Sequence, residues 1–340
     1  MSLTRLELAF PDGAPPGRLL VHGARATDDL SPLDLGRARI VQGQFADHAA
    51  LRARGGDVVP HLPENEAPFD AALVFLPRAK AEARARVAEA AAHLPQGATL
   101  WVDGQKTEGI DSLLRELRAL APIDEVHSKA HGKIVRLRVP APGWLPPEWN
   151  AAPTGAVPGF ATAPGMFSAD GIDPGSALLA RHLPERLPTR IVDLGAGWGW
   201  LSAQALQRPG VETLHLVESD HAALDAARRN LPDPRAVFHW ADARDFRLPE
   251  PVNAVIMNPP FHQGRKAEPS LGAAFIASAA RLLTGAGRLW MVANRHLPYE
   301  SVLAQHFASA VEIGGDTRFK VIEATGANRP ARGPAGGGRR

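Results

Sequence analysis

Nine consecutive residues, Ile191-Val192-Asp193-Leu194-Gly195-Ala196-Gly197-Trp198-Gly199, read as a short apolar strand, an acid, and then glycine at every second position. Glycine at such a turn admits positive φ and lets a ligand approach the backbone closely. The spacing is G-x-G-x-G, whereas the dinucleotide fingerprint is G-x-G-x-x-G. No Lys-Ser/Thr pair follows, which excludes a phosphate-binding P-loop. Alone, the loop could serve a nucleotide or simply turn the chain; its partners narrow the choice. Leu216-Val217-Glu218 ends the next apolar run, 25 residues beyond Asp193. A carboxylate there can accept both ribose hydroxyls of an adenosine. Ala241-Asp242-Ala243 follows the run after that, where a side chain plus a backbone N–H can read an adenine edge. Asp193 can hold a cationic amino-acid end directly or through water, and a loop without Lys or Arg suits a positive sulfonium better than a pyrophosphate. S-adenosylmethionine carries all three features. Asp193, Gly195, Gly197, Gly199, Glu218, Asp242 and Ala243 are its candidate contacts. Trp198 and Trp200 can pack on the ligand or, as we read them first, in the core.

These residues must be carried by a regular scaffold. Apolar runs at 189–194, 213–218, 236–240, 252–257, 288–293 and 319–324 alternate with helical patterns at 201–207, 221–231, 271–283 and 299–307. Near-continuous apolar strands separated by helices predict a mostly parallel sheet covered on both faces. Asn258-Pro259-Pro260-Phe261 follows the fourth of these strands. In isolation it would be a turn.

With the glycine loop, Glu218 and Asp242 in order ahead of it, residues 165–325 resemble the class I S-adenosylmethionine-dependent methyltransferases, which implies a Rossmann-like α/β fold with a seven-stranded, mostly parallel sheet. Asn258-Pro259-Pro260-Phe261 resembles the N-P-P-(Tyr/Phe) motif of those acting on planar amino groups. The lone pair of such an amine is delocalised into a π-system. The Asn258 side-chain oxygen and the Pro259 carbonyl can each accept one of its hydrogens, favouring a tetrahedral nitrogen aimed at the methyl group. Phe261 can stack on the ring, and no strong base is required. Asn258, Pro259, Pro260 and Phe261 are thus the expected catalytic set, with Asn258 also beside the cofactor. His262 reads as a loop residue in preference to a base.

Three further stretches, 164–176 (PGMFSADGIDPGS), 294–299 (NRHLPY) and 317–321 (TRFKV), together with 258–264 (NPPFHQG), resemble the bacterial 16S ribosomal RNA guanine-N2 methyltransferases. Relatives acting on 23S rRNA share much of the pattern. The resemblance covers nearly the whole chain, since that family also has a degenerate N-terminal methyltransferase-like domain. It departs at Met166, where Val is expected, and in the Arg-rich tail. It implies that Phe167, Ser168 and Gly171 lie near the cofactor or base, and that Arg318 and Lys320 face RNA. A protein glutamine-N5 methyltransferase, whose similar motif usually carries Tyr, and a non-catalytic ribosome-assembly protein that keeps the fold stand as alternatives.

The N-terminal half reads as a worn copy. Asp70-Ala71-Ala72-Leu73-Val74-Phe75-Leu76-Pro77 can be laid on Asn253-Ala254-Val255-Ile256-Met257-Asn258-Pro259-Pro260, and Leu100-Trp101-Val102 on Leu289-Trp290-Met291. Phe75 and Leu76 then stand where the other half has Asn258 and Pro259, so the copy keeps the fold and loses the polar site. We expect a degenerate domain over 1–140, a Pro-rich linker over 141–164 that no helix or strand crosses, a catalytic domain over 165–325, and a disordered basic tail over 326–340.

Composition bounds the rest. The 340 residues are 45% hydrophobic and 22% charged, ordinary for a globular chain and long enough for two domains. No apolar run approaches a membrane span, and no signal peptide is expected. The absence of cysteine excludes disulfides, thiolate metal sites and a Cys nucleophile. No metal is expected; the partner is ribosomal RNA of the small subunit, and the protein is expected to be a cytoplasmic monomer. The net charge of +2 owes much to four Arg in residues 326–340. Arg78, Lys80, Arg84 and Arg86, and Lys129, His131, Lys133, Arg136 and Arg138, are further candidates for RNA phosphates or a solvated face.

Overall fold

Strands that read as unbroken apolar runs have to be buried on both sides, and the computed structural model shows how. It describes residues 4–150, 154–260, 262–263, 266–267 and 269–328. Contacts divide the chain into an N-terminal unit, built on the chain up to 154 with 162–169 and 220–222, and a C-terminal unit, built on 155–161, 170–219 and the chain from 223 onward.

In the N-terminal unit the strands are β1 (Leu19–His22), β2 (Ala38–Val41), β3 (Asp57–Val59), β4 (Ala71–Phe75), β5 (Thr99–Gln105), β6 (Ile123–Lys129) and β7 (Gly132–Arg138), with helices α1 (Arg5–Ala9), α2 (Phe45–Ala53), α3 (Lys80–Ala92) and α4 (Ile110–Leu120). The sheet order is β3-β2-β1-β4-β5-β7-β6. Strand β7 runs antiparallel to both β5 and β6. Next come β8 (Thr154–Val157) and β9 (Phe160–Thr162), which pair with each other. They correct the expectation that no strand crosses the proline-rich linker. Pro158-Gly159, with Gly159 at φ +82, supplies the tight turn that lets the strands meet.

The C-terminal sheet is built from β10 (Arg190–Leu194), β11 (Thr213–Glu218), β12 (Ala236–Trp240), β13 (Val252–Met257), β16 (Leu283–Asn294), β17 (Phe307–Gly315) and β18 (Phe319–Ala327). Two short strands, β14 (His262–Gln263) and β15 (Lys266–Ala267), pair separately. Helices α5 (Pro174–His182), α6 (Trp200–Leu206), α7 (His221–Asn230), α8 (Pro269–Leu282) and α9 (Glu300–His306) complete it. The order is β12-β11-β10-β13-β16-β18-β17, the same arrangement as in the other unit. Along β13, Val255 and Met257 enter a core with Phe275 and Ile276 of α8, while Ala254 and Ile256 enter one with Leu179 of α5 and Leu201 of α6. Alternation between two covered faces explains the continuous apolar run. The sheet has the seven strands the resemblance implies; helix α5 and the position of the seventh strand, β17, were not placed from the sequence. Among the described residues no helix is long and apolar enough to cross a membrane.

Strand register converts the shared topology into residue pairs. Val74 pairs with His22 as Met257 pairs with Leu194. Val21 therefore stands where Asp193 does, Gly23 where Gly195 does, and Gln42 where Glu218 does. Gly23 and Gly195 share their backbone geometry, at φ +79 and +78. Their surroundings differ. A Cβ on Gly23 would lie 2.0 Å from Arg86 Nη1, whose guanidinium donates to the Phe75 carbonyl at 3.2 Å and pairs with Glu82 at 2.7 Å. Gln42 is buried, donating to Ala24 O at 2.6 Å and accepting from the Gln44 N–H at 2.8 Å. A paired cation and a closed amide thus sit where a cofactor would have to enter. Titration calorimetry should find one S-adenosylmethionine per chain; two per chain would show that the N-terminal glycine turn binds as well.

Candidate active site

The acid of the glycine loop is carried on the last turn of a buried strand. Asp193 on β10 is 1% exposed. One oxygen accepts from Ser202 Oγ of α6 at 2.7 Å, and the other, Oδ1, is buried without a partner. Burial, reinforced by the neighbouring Glu218 charge and opposed by the Ser202 hydroxyl, pushes its carboxyl up to about 7. Glu218, at the end of β11, accepts the Gly197 N–H at 2.8 Å on one oxygen and the Ser219 N–H at 2.7 Å on the other. The glycine loop is thereby tied to the strand that would present the ribose contact.

The glycines serve different ends. A Cβ on Gly199 would fall 2.8 Å from Leu231 Cδ1, so this glycine lets α6 pack close to the end of α7. Gly197, at φ +55, has open space where its Cβ would be, so its backbone can be reached from outside. Trp198 is buried, edge-on to Phe160 at 5.3 Å, in the core role preferred for it. Asp242, after β12, is held by Arg244, whose backbone N–H and Nε lie 2.9 Å from its carboxylate. Burial alone would raise the Asp242 carboxyl, but the bonds from Arg244 outweigh it and keep it below the usual range. Ala243 is buried, and its carbonyl accepts from Ser278 Oγ at 2.6 Å.

Asn258 directly follows β13. Its Nδ2 donates to Asp173 Oδ2 at 2.7 Å and to Ser176 Oγ at 2.8 Å. Its Oδ1 is buried and unpartnered. The register places Leu194, next to Asp193, beside Met257, next to Asn258. The two orphaned oxygens therefore stand at the ends of adjacent strands. Pro259 is buried and Pro260 exposed. Phe261 and Gly264 lie outside the described residues, as does the Arg-rich tail beyond 328, whereas Gly326 and Ala327 belong to β18 and correct the expectation that disorder begins at 326.

The expected substrate residues fare unevenly. Phe167 is 62% exposed, and Ser168 next to it adopts φ +51. Arg318 is exposed, its guanidinium 5.3 Å from the centre of the Phe319 ring. Lys320 does not face solvent. It is 5% exposed, donates to Leu297 O at 3.0 Å and pairs with Glu300. This corrects its expected place toward RNA: the side chain is tied to Leu297 and Glu300, just after β16, and buried there. Among the N-terminal basic residues, Lys80 and Arg84 pair with Glu116, Lys133 with Asp111, and Arg136 with Glu125. Ser202 was not singled out in the sequence, and Asp173 and Ser176 were quoted there without a role. For the latter two a signal existed: Asp, Pro and Ser at 173, 174 and 176 form a helix start.

Residues 158–323 match the family model described as methyltransferase small domain, and residues 17–139 match methyltransferase small domain N-terminal. The chain is 30% identical to the ribosomal RNA small subunit methyltransferase C of Hahella chejuensis, over 82% of this chain and 85% of that protein. It is 28% identical to the protein of the same name from Salmonella arizonae, over 92% and 94%. Among solved structures it resembles the T. thermophilus 16S rRNA N2 methyltransferase in complex with AdoMet and guanosine, with TM-score 0.79 and 24% identity over 94% of this chain and 91% of that one. The last likeness speaks to the fold.

Asp193 can attract a cationic amino group only when ionised. With the carboxyl of the free protein near 7, protonation competes with binding below that pH and ceases to above it. Calorimetric affinity for S-adenosylmethionine should therefore weaken as the pH falls from about 7 to about 6, approaching tenfold per unit. Asp193→Asn should bind weakly and without that dependence. A flat wild-type profile would remove Asp193 from the cofactor site.

Proposed function

The chain belongs to the ribosomal RNA small subunit methyltransferase C family, and we propose that it methylates the exocyclic N2 amine of one guanine in 16S rRNA of the small ribosomal subunit. S-adenosylmethionine, when bound, supplies an electrophilic methyl group on a sulfonium. Everything else falls to this chain. Asp193 attracts the amino-acid end, Glu218 takes the ribose hydroxyls, and Asp242 with the Ala243 backbone reads the adenine. Gly195, Gly197 and Gly199 shape the loop between them.

The observation that carries the reading is the Asn258 amide. Its nitrogen is committed to Asp173 and Ser176, which leaves a buried oxygen with nothing to accept from. A planar amine brings the missing hydrogen. With one N–H on Asn258 Oδ1 and the other on the Pro259 carbonyl, the lone pair is freed from the ring. The two oxygens then face a nitrogen that becomes positive as the bond to carbon forms. Fixed dipoles aimed at developing charge are effective in a water-poor site. The bond to sulfur breaks as the bond to nitrogen forms, and the proton then passes to water, so no base has to be sought among the neighbours. Phe261 is assigned to stacking on the base.

A guanine in RNA has to leave its stack to reach these groups, at a cost of a few kcal/mol. We assign the compensating contacts to the degenerate domain over 1–140, to Phe167 and Arg318, and to the basic tail over 326–340, with residues 165–325 catalytic. The enzyme is taken to act in the cytoplasm, as a monomer.

Methyl transfer to purified small and large subunits, to naked rRNA of each and to protein, followed by nucleoside mass spectrometry, tests the assignment. N2-methylguanine in small-subunit RNA is expected. Label confined to large-subunit RNA would overturn the substrate and leave the chemistry, and label on protein glutamine would overturn both. Asn258→Ala should lower kcat by more than about tenfold, roughly 1.4 kcal/mol of barrier, with cofactor affinity little changed. Glu218→Ala should weaken cofactor binding first.

A further inference from the structure

An asparagine amide has two orientations of nearly the same shape, related by exchanging oxygen and nitrogen. Only one of them offers an acceptor to an incoming amine. We infer that Asp173 and Ser176 are positioning residues that lock Asn258 in that orientation, a role that rests on the reading of Asn258 given above.

The geometry assigns the lock to the first turn of α5. Asp173 caps this helix, its Oδ2 accepting the Ser176 N–H at 2.7 Å. The same oxygen accepts Asn258 Nδ2 at 2.7 Å, and the Ser176 hydroxyl accepts it at 2.8 Å. Both hydrogens of the amide are thereby used. Turning the amide over would set its oxygen against the Asp173 carboxylate at hydrogen-bond distance, two acceptors face to face with no proton between them. It would also aim N–H groups at the N–H groups of the substrate. The flipped form loses the Asp173 bond, keeps at most a Ser176 hydroxyl turned round to donate, and repels the amine it should receive. Gly175 keeps the lock open: a Cβ there would lie 3.0 Å from Asp173 Oδ2 and 3.6 Å from Asn258 Nδ2. The spacing from Asp173 to Ser176 thus joins a helix cap to the orientation of one catalytic amide.

Replacing Asp173 would uncap α5, so Ser176 is the residue to test. Its side chain is not the cap, and Ser176→Ala removes one acceptor of Asn258 Nδ2 alone. In the full-length protein with its RNA substrate, Ser176→Ala should slow single-turnover methyl transfer by about tenfold. Cofactor Kd and thermal midpoint should stay near those of the wild type. Ser176→Thr, which keeps the hydroxyl, should recover most of the rate. On an Asn258→Ala background the same Ser176→Ala change should alter the residual rate by less than about twofold, because the group it acts through is gone. A Ser176→Ala enzyme as fast as the wild type would overturn the lock. So would a Thr variant as slow as the Ala variant, or a loss of full size on the Asn258→Ala background. If Asn258→Ala itself keeps more than about a tenth of the rate, the role of Asn258 has failed and the lock falls with it, an outcome distinct from the others.

Discussion

A buried acceptor with nothing to accept from costs about 1–3 kcal/mol, and the C-terminal unit carries two at neighbouring strand ends, Asp193 Oδ1 and Asn258 Oδ1. The surrounding structure is arranged so that neither can satisfy itself. Ser202 takes only one oxygen of Asp193, and Asp173 with Ser176 takes only the nitrogen of Asn258. The two oxygens ask for different ligands. The carboxylate, raised by burial, gains from a cation that restores its charge. The amide oxygen gains from a neutral N–H donor. A methyl donor with an ammonium end and an acceptor molecule with an NH₂ group fit that pair of demands, and the parallel register of β10 and β13 sets Asn258 two residues beyond the partner of Asp193 on the neighbouring strand.

The N-terminal unit serves as an internal control, because it has the same strand order without those demands. At the positions that register assigns, Val21 replaces the acid, Phe75 replaces the asparagine, and Gln42 spends its amide on Ala24 and Gln44. Arg86 covers the glycine turn and is itself paired with Glu82. Fold and chemistry therefore separate within one chain: the strand order survives duplication while the site depends on a handful of polar residues.

That separation explains what could be read from the sequence. The apolar runs of β10, β11 and β13 carry a strong signal because both faces are buried, and the glycine loop is legible because only its backbone geometry explains the composition. Strand β17 carries little signal: it is an edge strand whose residues from Ala308 on are mostly exposed, Val311 among them, so the Val311-Glu312-Ile313 alternation is short and marks no buried face. Missing β17 had a consequence one strand away. Without it, β18 passes for the sheet edge and Lys320 for a solvated residue. With it, β18 is interior, its backbone paired at Lys320 with both Ala293 and Gly315, while Leu297 and Glu300 hold the buried side chain. Helix α5 was missed for a different reason. It starts with Asp173 as cap and Pro174 at the first position, a local signal that a search for apolar periodicity passes over. The bonds from Asn258 to Asp173 and Ser176 span 85 and 82 residues, and no local pattern predicts them.

The same limit applies to charge. Counting Lys and Arg in the N-terminal half marks a basic surface, yet Glu116 holds both Lys80 and Arg84, Asp111 holds Lys133, and Glu125 holds Arg136. Such pairs on an accessible surface contribute only about 0–1 kcal/mol each. They are weak as scaffolding and correspondingly easy to exchange. An RNA phosphate competes with a carboxylate for the same cation and can displace it at little cost to the fold. The displaced acid then faces the phosphate it has yielded to, and that repulsion discounts the gain. Acids interleaved with the cations therefore temper the affinity for RNA in general. On the RNA-binding face proposed for this unit, selectivity between RNAs would come instead from how well one folded RNA matches the whole pattern, since a mismatched backbone would meet acidic side chains as often as basic ones.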